Sequence, residues 1–127
     1  MGIDLTELEA LNTAIAATAA AVQRDGRAVV SKGALNIKND WKANATSSAG
    51  RHARLYPSSI SYDVTEVPGA IEAEIGPDKA RPQGPLGNLL EFGSVHNPPH
   101  NDGGRALDAE EPRFVAAVEA MAAQAVS

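Results

Sequence analysis

The sequence has no cysteine and only five aromatic residues (one Trp, two Tyr and two Phe) among 127 positions. The missing thiols exclude disulfides, thiolate chemistry and Cys-ligated metal centres, and they fit an intracellular origin. The shortage of aromatics thins any core, because alanine supplies much of the 43% hydrophobic content. Burial stabilises by roughly 25 cal/mol per Å² of apolar surface, and alanine has little to bury. A chain of this size fits one domain, 1–127. With so thin a core, that domain is expected to draw stability from neighbouring subunits.

A basic excess is also lacking. The net charge is −5, which argues against a dedicated nucleic-acid binder. No apolar run is long enough to span a bilayer, the longest lying around residues 14–22, so no membrane partner is expected. Asp4, Glu7 and Glu9 stand where a signal peptide would carry basic residues. Phosphate-binding and dinucleotide-type glycine fingerprints are missing, as is a nucleophile elbow. Asn44-Ala45-Thr46 matches a glycosylation sequon, which has no meaning without secretion.

What is present is organised by period and by charge. Leu5, Leu8, Leu11, Ile15, Ala19 and Val22 recur at helical spacing, with Asp4 and Glu7 forming a capping-box pattern. Val30, Ala34, Ile37 and Trp41 form a second stripe over residues 27–43. Gly26 either separates two helices or lies inside one long helix, where it costs about 1 kcal/mol. Residues from Thr46 onward read as loop. Ile60, Tyr62 and Val64, then Ile71, Ala73 and Ile75, alternate with polar residues around Val67-Pro68-Gly69, the pattern of a β-hairpin. Residues 76–87 read as an extended, proline-rich loop. Leu89–Phe92 reads as a short apolar segment, a strand end turning at Gly93 with Phe92 in the core. Residues 96–104 read as a polar loop. A final helix is expected from about Glu111, with Pro112 in its first turn and Phe114, Val118, Met121 and Ala125 on one face. The expected fold class is α+β: a long N-terminal helical region and a C-terminal helix packed on a small antiparallel β-sheet. Its core should hold Leu8, Leu11, Ile37, Ile60, Ile71, Ile75, Phe92, Phe114 and Val118.

Charge divides the chain. Lys32, Lys38, Lys42, Arg51 and Arg54 face only Asp40 within their stretch, whereas residues 63–78 are purely acidic. These are either two solvated faces, complementary surfaces of adjacent subunits, or a basic face turned toward passing DNA. His96, His100 and Asp102 are the candidates for a metal, since two imidazoles and a carboxylate can ligate zinc. Pro98-Pro99 excludes a helical spacing between them, and a polar surface loop with incidental histidines is the commoner arrangement. Glu72/Glu74 and Glu110/Glu111 read as strand-face and helix-start residues rather than as catalytic pairs. No catalytic residue and no cofactor is expected.

Several short words, taken with the order of elements, carry a resemblance. They are Gly2-Ile3-Asp4-Leu5, Ala73-Glu74-Ile75-Gly76, Leu90-Glu91-Phe92-Gly93-Ser94, and Ala106-Leu107-Asp108 leading into Pro112-Arg113-Phe114-Val115. With them the chain resembles the tail-component family typified by gene product ten of a lambda-like phage. The likeness spans nearly the whole chain, and the Glu-Phe-Gly segment is its most distinctive part. It departs from the family between helix and hairpin: residues 49–60 replace the usual Ala-Pro-Val-x-Thr-Gly-x-Leu. The resemblance implies a virion structural subunit of the neck or upper tail (head-tail connector, tail completion or terminator), assembled in the bacterial cytoplasm. Its partners would be further copies of itself, on the order of six or twelve in a closed ring. Portal-side adaptor or stopper proteins and tail-tube or tail-terminator proteins would adjoin it, and DNA would pass through the channel as cargo. The interface candidates are Lys32, Lys38, Lys42, Arg51, Arg54, Glu72, Glu74, Leu86, Leu89 and Glu91. Two other readings stay open at this point: a small prophage-encoded regulator that binds an acidic or nucleic-acid partner through residues 32–54, and a metal-dependent hydrolase using His96, His100 and Asp102.

Overall fold

A computed structural model describes residues 5–48, 50, 53–93 and 99–125, the side chains of 5–8 and 10–20 excepted. The fold is α+β. It comprises α1 (Leu5–Ser48), the antiparallel hairpin β1 (Ile60–Val67) and β2 (Ala70–Pro77), the short α2 (Gly87–Phe92) and α3 (Asp102–Ala125), with 3-10 turns at Pro57–Ser59 and Gly84–Leu86.

The N-terminal region is one helix of 44 residues, about 66 Å long at 1.5 Å per residue. Gly26 does not break it. A Cβ at that position would stand 3.2 Å from Ile71 Cδ1 and 3.9 Å from Met121 Sδ, so the glycine is a notch into which the hairpin and α3 press. Gly33 repeats the device two turns on, with the Phe114 ring 3.0 Å from a would-be Cβ. The helix also outruns its expected end at Ala43. The Thr46 and Ser47 hydroxyls donate back to the carbonyls of Lys42 (2.7 Å) and Ala43 (3.3 Å), a local bonding pattern that hydroxyl residues offer within a helix.

Packing of α3 on α1 is antiparallel: Asp102 adjoins Asn44, Glu110 adjoins Asn36, and Met121 adjoins Gly26. The hairpin lies on the same side of α1. Its register pairs Tyr62 with Ile75 and Val64 with Ala73 on the half-buried face, and Asp63 with Glu74 and Thr65 with Glu72 on the exposed face. Gly69 has φ 80°, the value a type II turn requires after proline at its first central position. At the tip, Glu66 accepts from Arg27 and Gln23 of α1, both at 2.9 Å.

The core is small and lies at the C-terminal end of α1. Ala45, Ala53, Tyr56 and Ile60 are buried, with Trp41, Ile75, Leu86 and Leu90 packed around them. Ile37, Ile71 and Phe114 are half-buried, whereas Val118 is exposed. Phe92, expected inside, is 74% exposed. The side chains of Leu8 and Leu11, and the capping residue Asp4, lie outside the described residues.

The proline-rich segment does not project as an extended loop. The backbone N–H of Asp78 donates to the Ser59 carbonyl (2.8 Å), and that of Arg81 to the Asp78 carbonyl (3.0 Å). Gly84 is buried so tightly that a Cβ would overlap the Asp78 carbonyl. Leu86 thereby reaches the core. No helix among the described residues is long and apolar enough to cross a membrane.

Candidate functional site

Three helix ends meet beside Trp41, the last turns of α1 and α2 and the first turn of α3, and this junction organises the Glu-Phe-Gly word. Leu89–Phe92 is not a strand end but the last turn of α2, closed where the Gly93 N–H donates to the Leu89 carbonyl at 2.8 Å. Gly93 has φ 76°, a conformation that suits glycine best. The α2 carbonyls left over at that end are met by the next segment. The His100 N–H donates to Leu90 O (2.8 Å) and the Asn101 N–H to Glu91 O (3.1 Å).

The Glu91 side chain does the reverse. It is 8% exposed, and its carboxylate accepts from the backbone N–H of Gly103 (2.9 and 3.1 Å) and of Gly104 (3.3 Å). A helix start leaves such N–H groups without partners and carries a partial positive charge, so a carboxylate there satisfies both. A Cβ on Gly103 would stand 2.8 Å from Glu91 Oε2 and 2.7 Å from the Trp41 ring; glycine makes room for the cap. Glu91, expected at a subunit interface, is therefore an internal helix cap. The same cap explains why α3 begins at Asp102 rather than near Glu111, which leaves Pro112 inside the helix. The start signal comes from a residue on another helix, and Pro112, exposed inside α3, forgoes one backbone hydrogen bond.

Beside the cap, Ser48, His100 and Asp102 converge. The Ser48 hydroxyl donates to Asp102 Oδ2 (2.7 Å) and stands 3.1 Å from His100 Nδ1. The other Asp102 oxygen accepts from Arg105 at 2.6 Å, and its backbone carbonyl accepts from Asn44 at 3.0 Å. In a nucleophilic triad the imidazole stands between hydroxyl and carboxylate. Here the hydroxyl stands between them, and its single proton is directed at the carboxylate, so Ser48 is a brace for the start of α3 rather than an activated nucleophile. Among the described residues no three His, Asp or Glu side chains are grouped to hold a metal ion. His96 lies outside the described residues.

Trp41 and Tyr56 close the junction from below. The Trp41 indole N–H and the Tyr56 hydroxyl are buried, and neither finds a partner with hydrogen-bonding geometry among the described residues. Burial raises the Tyr56 pKa above its ordinary value; the adjacent Trp41 indole opposes this in part, and the nearby carboxylates of Glu91 and Asp102 add smaller upward pushes.

The remaining interface candidates divide. Lys32 and Arg54 are exposed, while Lys42 is half-buried. Lys38 lies over the Tyr62 ring, 5.7 Å from its centre, and so contributes inside the fold. Asp40 pairs with Arg113 of α3 at 2.9 Å. Arg51 lies outside the described residues. Glu72 and Glu74 are exposed, as expected, and Asp63 faces Glu74 directly across the ladder. Like charges so placed oppose hairpin formation. Leu86 is partly buried and packs against the core, whereas Leu89 is exposed. The exposure of Phe92 escaped sequence reasoning. The one available signal was i,i+3 spacing with Leu89, which on a helix puts both on one face.

Compared with known proteins, the chain matches no family model, no curated protein and no solved structure.

Proposed function

We propose that the chain is a non-enzymatic structural subunit that forms a ring at the head-to-tail junction or upper tail of a long-tailed phage particle. The carrying observation is the use of the Glu-Phe-Gly word. Glu91 and Gly93 are turned inward to build the α2–α3 junction, while Phe92 between them is held out in solvent. Exposing a phenyl ring on a rigid, buried-capped corner forfeits the burial energy that a thin core needs most, and a neighbouring subunit restores it.

Two further observations favour assembly. The outer face of the hairpin gathers Asp63, Glu72 and Glu74, with no ion-pair partner for them among the described residues. Exposed basic residues, Lys32 and Arg54, offer complementary charge from another copy. The order of long helix, hairpin, Glu-Phe-Gly turn and final helix also agrees with the order expected of the tail-component family. In this reading the partners are copies of the chain, on the order of six or twelve around the particle axis, with neck, portal-side and tail-tube or terminator proteins above and below. DNA passes through as cargo, and the protein resides in the virion after assembly in the host cytoplasm.

The test is genetic. Particles made without this protein should accumulate filled heads and separate tails, and adding the purified protein to that lysate should join them. Normal joining in its absence would end the proposal.

A further inference from the structure

We draw no further inference here: the strongest candidate, the open apolar groove that β2 and α3 form over α1 together with the exposed α2 face of Leu89 and Phe92, carries no proposal because nothing in the structure shows what covers either surface.

Discussion

Replacing Glu91 by alanine tests the central structural argument, that one side chain starts a helix it does not belong to. The carboxylate accepts from the N–H groups of Gly103 and Gly104 at 2.9–3.3 Å. Its removal strands the buried Gly103 donor, which costs about 1–3 kcal/mol. Losing a charged cap at a helix N-terminus adds about 1 kcal/mol. The sum, about 3 kcal/mol, is a large part of the roughly 5–15 kcal/mol that holds an ordinary domain together. For a chain of this length the thermal midpoint should fall by about 10 °C. Glu91→Gln keeps a carbonyl acceptor and loses only the charge, so it should cost about 1 kcal/mol. Urea unfolding measures the totals, and amide exchange localises them to residues 103–106. The reasoning is refuted if Glu91→Ala unfolds within about 0.5 kcal/mol of wild type and the Gly103 and Gly104 amides stay equally protected.

Other outcomes follow from the same structure. Because burial raises the Tyr56 pKa in the folded state, the hydroxyl keeps its proton after the unfolded chain, with an ordinary value near 10, has lost it. Its contribution to stability should therefore be full below about pH 10 and decline as pH rises above it; Tyr56→Phe should flatten that decline, measured as stability against pH. Gly84→Ala should destabilise by about 3 kcal/mol or more, since its Cβ would overlap the Asp78 carbonyl in a turn pinned by backbone hydrogen bonds; an unchanged urea midpoint would contradict this. Phe114→Ala empties a half-buried site against Gly33 and should cost about 2–3 kcal/mol, below the full cost of a buried Phe, read from the same titration. Reversing Glu72 and Glu74 to Lys should weaken self-association, more at low salt than at high salt, as followed by sedimentation.

The local elements were legible wherever the signal is local. The helical period of Val30, Ala34, Ile37 and Trp41, the alternation of Ile60, Tyr62 and Val64 with Ser61 and Asp63, and Pro68-Gly69 between two such runs each depend on neighbours within a few residues. Those readings place α1 and the hairpin in this structure, and the α+β class follows from them. Composition alone also foretold a thin core. Whether Gly26 ends a helix or notches one was undecidable from its surroundings, because the deciding atoms belong to Ile71 and Met121. The start of α3 was misplaced for the same reason. Pro112 and its acidic neighbours look like a first turn, but the true start at Asp102 is stabilised by a carboxylate from another helix. Phe92 and Glu91 were assigned to each other's environments. Hydrophobicity places a phenylalanine inside and a glutamate outside, yet the N–H groups of Gly103 and Gly104 draw the carboxylate in, and the helical turn of α2 then leaves the ring in solvent. Hydrogen bonds and close approaches between distant segments have no period in the sequence, so only the tertiary structure decides which of two adjacent residues holds the fold and which is left for a partner.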